Sequence, residues 1–291
     1  MTAPDHRSSL IPHSIGAYGI RIRGLEAAAE LLVPVDGQAP AYLVESAVES
    51  PPPGPEHVDD DRAELRLRSG GRVLIDRRAG WARFEVPHPL RPDELVHPYL
   101  APAAAVIGRW LGRESVHAGA FAVDDRALGV VGTREAGKSS TLAWLALEGG
   151  EVLCDDLLVV DGRSMFAGPR SIDLREDAAA HLGAGEAIGV TGARERWRLR
   201  LAPAGGRHTL AGFVFLSWGD EVTVRRLGAG ERLERLVPQR GARLEPLRPD
   251  AVLDLASLPA WEINRPRSWA SLPEVGRRLL ELASTTPTAA A

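Results

Sequence analysis

Lysine is nearly missing from this sequence: of 35 lysine and arginine residues only Lys138 is lysine, so arginine serves as the cation everywhere else. Cysteine is nearly missing too. With Cys154 alone, the chain has no internal disulfide framework, which fits a reducing compartment. No apolar run approaches the roughly 18 residues that a membrane span needs, and the opening Met-Thr-Ala-Pro-Asp-His-Arg lacks the apolar core of a signal peptide. These absences predict a cytoplasmic chain with no membrane partner. A strong charge imbalance is also lacking. The net charge is −4 with 44% hydrophobic residues, the values of an ordinary globular protein, which makes nucleic acid an unexpected partner. At 291 residues the chain can bury a substantial core in one large domain or two modest ones. It contains no internal repeat.

The apolar pattern changes along the chain. Residues 1–97 read as β-rich, with strand-like alternation in Arg62 to Arg68 and in Trp81 to Val86, where Ala82, Phe84 and Val86 share a face. The proline-rich and then acidic stretch Glu49 to Asp61 reads as an exposed loop. Residues 98–291 form the second predicted domain, opening with a buried helix over Pro98 to Leu111. From Ser115 onward come short, almost wholly apolar strands, as expected where both sheet faces are covered. They are Val116 to Val123, a turn at Asp124-Asp125, Ala127 to Val131, Glu151 to Cys154, Leu157 to Asp161 and Phe213 to Trp218. A helix is predicted over Ser139 to Leu147. A second closes the chain near Leu272 to Ala283, with Ser271 and Glu274 at capping-box spacing. In Arg194 to Arg200, alternate arginines predict a strand with one solvated basic face. Cys154 reads as a small buried apolar residue.

Gly132, Thr133, Arg134, Glu135, Ala136, Gly137, Lys138 and Ser139 satisfy G-x-x-x-x-G-K-[ST], between an apolar strand and a helix, and Ser140 follows. Glycine at 132 and 137 lets backbone N–H groups converge on phosphate oxygens, and the helix aims its positive end at them. Lys138 is placed to reach the β- and γ-phosphates of ATP, and the Ser139 hydroxyl to complete an Mg²⁺ shell. A chain that uses arginine elsewhere keeps its one lysine where this loop requires it. Asp155-Asp156 ends the next apolar strand, where one carboxylate can orient Mg²⁺ and the other accept a proton.

These residues resemble the HPr serine kinase/phosphorylase family and its short relatives, some of which sit beside peptide-modifying genes. The resemblance runs from about Glu114 to Trp218. It rests on His117-Ala-Gly-Ala ahead of the loop, on Gly132 to Ser140, and on Cys154-Asp155-Asp156. It implies an α/β fold, a P-loop HPr kinase-like mixed sheet flanked by helices, with the N-terminal β-rich region added. It also implies Asp155 as the acid/base and Asp156 as its partner near the metal and His117. Ile172-Asp173-Leu174-Arg175 is similar to a family segment that would make Asp173 a further Mg²⁺ ligand. Gly206-Arg207-His208 is similar to one whose arginine assists phosphate chemistry. Asp stands at 173 where the family has Glu, and the long glycine-rich signature after that acid is missing.

The function so expected is an ATP-dependent kinase acting on a Ser or Thr hydroxyl of a protein or ribosomally made peptide. The alternative is a nucleotide-gated binding module that phosphorylates nothing. Related kinases are hexamers, so a homo-oligomer stays open, as do acceptor binding and a structural role for residues 1–97.

Overall fold

The computed structural model describes residues 14–286 except 51, 53, 193 and 242–245, and every structural statement concerns those residues. Side chains at every second position of a strand share a face, and the first ninety-odd residues use that rule to bury one face of an eight-stranded sheet. Its spatial order is Val33–Val35, Ser14–Ala17, Ile20–Arg23, Ala41–Val48, Trp81–Val86, Arg72–Asp76, Arg62–Arg66, His57–Val58. Ala82, Phe84 and Val86 are fully buried, as their alternation predicts. The last strand is a two-residue edge inside the stretch expected as a loop.

Helix Leu100–Trp110 covers the buried face. Leu100, Ala103 and Ile107 share one apolar cluster with Ile22, Tyr42, Ile75 and Phe84, and that cluster runs on to Leu157 and to Val159, a residue of the second sheet. The N-terminal core therefore continues past residue 97.

The second sheet has nine strands. Ala118–Val123 and Arg126–Val131 pair antiparallel through the Asp124-Asp125 turn, where Asp124 takes a left-handed φ of 55°. Arg126–Val131 lies parallel to Arg207–Trp218, which in turn lies parallel to Ala260–Arg265. These central strands are covered on both sides, which explains their unbroken apolar sequence. A third sheet has three strands, with Arg194–Arg200 between Ser171–Leu174 and Glu186–Thr191. The whole is a mixed α/β protein with a β-rich N-terminal region. No helix among the described residues is long and apolar enough to cross a membrane.

Helix Leu272–Thr285 buries Val275 and Leu279, as its spacing predicts. The expected capping box does not form. Ser271 Oγ donates instead to the Ser268 carbonyl (2.7 Å) and the Pro266 carbonyl (3.1 Å), because a short 3₁₀ turn over Trp269–Ser271 leads into the helix. This helix backs Lys138–Leu147, which leaves the glycine loop, and the two meet at Gly276. A Cβ there would sit 1.8 Å from the Trp144 ring, so the approach requires glycine.

Gly276→Ala should therefore lower stability by about 1–3 kcal/mol in urea unfolding, outweighing a helix-propensity gain of at most about 1 kcal/mol. Gly230→Ala, at a helical site where a Cβ meets nothing within 4 Å, should be neutral or mildly stabilising.

Candidate active site

Strand Arg126–Val131 delivers the chain into Gly132, and helix Lys138–Leu147 starts directly after Gly137. Between them the backbone turns through left-handed conformations at Glu135 (φ 68°) and Gly137 (φ 79°). A Cβ at Gly137 would lie 2.1 Å from Arg265 Nη2, and one at Gly132 would lie 2.9 Å from Ala136 Cβ, so the loop is closed tightly from both ends. Arg265 Nη2 donates to the Ala136 carbonyl (2.9 Å) while its guanidinium lies 4.5 Å from the Trp218 ring centroid. Burial lowers the Arg265 pKa to about 10. The first N–H groups of the loop helix have no partners within the helix, which makes its start a natural seat for phosphate oxygens.

Lys138 is 7% exposed and its Nζ donates to the Gly132 carbonyl at 2.8 Å. Burial lowers its pKa, while the nearby Asp156 and Asp155 pull the other way. Thr133, Arg134 and Glu135 form the exposed rim of the loop, and Ser139 and Ser140 are half-buried in the first helical turn. Arg175 reaches back to Glu135 at 2.6 Å, tying the rim to the segment after Asp173.

Asp155 is 4% exposed, and its Oδ1 has no hydrogen-bond partner. Burial pushes its carboxyl well above the usual carboxylate range, with the Asp156 charge adding to the rise and the Ser139 hydroxyl opposing it. Gly119 explains how the strand pair comes so close here. A Cβ there would lie 2.2 Å from Leu142 of the loop helix and 2.8 Å from the Asp155 carbonyl. His117 Nδ1 donates to the Asp156 carbonyl at 2.9 Å, since a carbonyl oxygen can only accept. Although His117 is exposed at its edge, desolvation and then the Lys138 charge lower its pKa, favouring the neutral ring.

Lys138, Ser139, Asp155, Asp156 and His117 thus come together as the sequence predicts. Asp173 lies next to them but differs from the expectation of a free metal ligand. Arg198 Nε donates to its Oδ1 (2.8 Å) and Arg198 Nη2 to its Oδ2 (3.0 Å), so both oxygens are already engaged. Burial tends to raise the Asp173 pKa, and His97, Arg198 and Arg196 reverse that and hold it below the ordinary value. Arg207 is not brought to the loop. It opens a strand whose Thr209 pairs with Arg126, at the end of Arg126–Val131 away from Gly132, and its Nη2 donates to Ser164 Oγ (2.6 Å).

Sequence reasoning missed three participants. Arg198 belongs to the strand expected to be solvated on its basic face, yet it is 3% exposed, because the third sheet turns it toward Asp93 and His97. His97 is 2% exposed, with Nε2 3.9 Å from Asp156 Oδ2 and 3.8 Å from Asp173 Oδ2. Tyr18 is buried beside Cys154. Its pKa is raised well above the ordinary value by burial, then by the Cys154, Asp156 and Asp155 charges, and its backbone N–H donates to the Ala167 carbonyl (2.7 Å). None of these residues carries a local motif. The glycine-bound loop and the unpartnered Asp155 oxygen fit a nucleotide with a divalent cation.

Arg198→Ala should cost about 3–5 kcal/mol, measured by chemical unfolding, because it strands the buried Asp173 carboxylate. Arg198→Met combined with Asp173→Leu should cost less than Arg198→Ala alone, since it removes both charges together.

No protein-family model matches the chain, and no curated protein matches it in sequence. Among solved structures there is a match to the HPr(Ser) kinase/phosphatase from Coxiella burnetii, at 15% identity and a TM-score of 0.28, covering 57% of this chain and 94% of that chain.

Proposed function

We propose that this chain is an ATP-dependent kinase that transfers the γ-phosphoryl group to a Ser or Thr hydroxyl of a protein or ribosomally made peptide. The observation that supports this reading most directly is the meeting of the Lys138-Ser139 turn with the buried Asp155, whose Oδ1 has no hydrogen-bond partner. In this reading the N–H groups of the loop and of the first helical turn hold the phosphates. Lys138 exchanges its Gly132 carbonyl partner for phosphate oxygens. Ser139 and Asp156 would hold Mg²⁺, which supplies charge neutralisation on the oxygens of the transferred group. Asp173 acts instead as an anion held by Arg198, and Arg207 has no part.

Asp155, as carboxylate, accepts the proton of the attacking hydroxyl as the oxygen–phosphorus bond forms and the β–γ bridge to ADP breaks. Burial strengthens its proton affinity, which suits a base that must act only when an acceptor is seated. His117, by donating to the Asp156 carbonyl, fixes the backbone on which both carboxylates stand. The localisation expected from the sequence, cytoplasmic, is part of the same proposal.

Intact-mass analysis tests it. Serine-containing peptides and HPr incubated with Mg-ATP should gain about 80 Da per phosphate. Lys138→Ala should abolish the gain together with ATP binding. Asp155→Asn should bind ATP but slow transfer by about 10²–10⁴-fold. ATP binding with no mass gain across a broad acceptor panel would instead favour a nucleotide-gated binding module.

A further inference from the structure

Both His97 Nε2 and Asp155 Oδ1 are buried polar atoms without hydrogen-bond partners. One ligand atom from each of His97, Asp155 and Asp156 lies within 4.8 Å of the others. Leaving such groups buried and unsatisfied is costly, more so for a charge, so a site that keeps them is arranged for a guest. Hydrogen bonding among the three residues does not explain the arrangement, because His97 Nε2 stops 3.9 Å from Asp156 Oδ2. A cation between them would draw each donor in to roughly 2.0–2.2 Å.

The donor set identifies the class of cation. Magnesium prefers oxygen ligands and keeps its waters, whereas an imidazole beside carboxylates suits manganese, iron or zinc. Asp173 is outside this group of three, and its oxygens accept from Arg198 Nε and Nη2. The backbone around His97 is fixed as well: its carbonyl accepts from Arg198 Nη2 at 2.6 Å, holding the residue over the carboxylates.

We propose that His97, Asp155 and Asp156 form a binding site for a divalent transition-metal cation, its remaining positions facing the Lys138-Ser139 turn. Asp155 gives the cation one oxygen and keeps the other toward Ser139 and an incoming hydroxyl. The site thereby takes one of its ligands from the segment that joins the two sheets. The inference shares carboxylates with the proposed kinase chemistry but is read without nucleotide or acceptor.

The test is Mn²⁺ titration of the untagged full chain followed by electron paramagnetic resonance. One Mn²⁺ per chain is expected, with a ¹⁴N modulation from a single imidazole in the pulsed spectrum. His97→Gln should erase that modulation and weaken binding by at least about tenfold, since even residues behind a ligand cost 10–100-fold when changed. His117→Gln should keep the modulation, and circular dichroism of both variants checks that they fold. Mn²⁺ bound by the native chain without nitrogen coupling, coupling that survives His97→Gln, or no bound Mn²⁺ would each overturn the site. A chain that binds nitrogen-ligated Mn²⁺ but phosphorylates nothing fails the kinase reading alone. One that phosphorylates without nitrogen-ligated metal fails this inference alone.

Discussion

The buried guanidinium of Arg198 is the constraint on which the candidate site depends. Its Nε and Nη2 grip both oxygens of Asp173, Nη2 also donates to the His97 carbonyl, and Nη1 donates to the carbonyl and the carboxylate of Asp93. All five N–H donors of the group are thereby engaged. A buried charge without such pairing would cost several kcal/mol. The planar fork does what an ammonium cannot, binding a carboxylate with two parallel hydrogen bonds while reaching two further backbone oxygens. One side chain on the third sheet thus fixes both the segment leaving the N-terminal sheet and the acid beside the glycine loop.

That constraint makes the site composite. The loop, Lys138 and the Asp155-Asp156 pair come from the nine-stranded sheet, whereas His97 and Tyr18 arrive from the N-terminal side. The shared apolar cluster through helix Leu100–Trp110, Leu157 and Val159 joins the two sides. Burial lowers the His97 pKa, with Asp173 and Asp156 opposing, so the ring arrives favouring its neutral form. The N-terminal region has a structural part in the site whatever it does toward an acceptor.

How much of this was legible in the sequence follows from distance along the chain. The Gly132 to Ser139 loop is local, and the strand before it and the helix after it stand where its spacing predicts. So do the apolar strand Glu151–Cys154, which leads into Asp155, and the alternation that buries Ala82, Phe84 and Val86. The Arg194–Arg200 alternation correctly gave a strand, but which arginine is buried depends on what the third sheet packs against, and period two carries no information about that. His97 was invisible for a similar reason: a single histidine at the end of a β-rich stretch has no motif, and Arg198 lies far from it in sequence. Arg207 was misplaced because a short segment resemblance ignores register. Only the pairing of Thr209 with Arg126 shows that it opens the strand at the wrong end.

The most direct measurement of the central claim is a crystal structure of the chain with a non-hydrolysable ATP analogue. The account predicts phosphates seated on the N–H groups of Gly132 to Ser139, with Lys138 Nζ moved from the Gly132 carbonyl to β- and γ-phosphate oxygens and the terminal phosphate facing Asp155. A nucleotide bound elsewhere, or Lys138 still held by Gly132 with the analogue present, would contradict it.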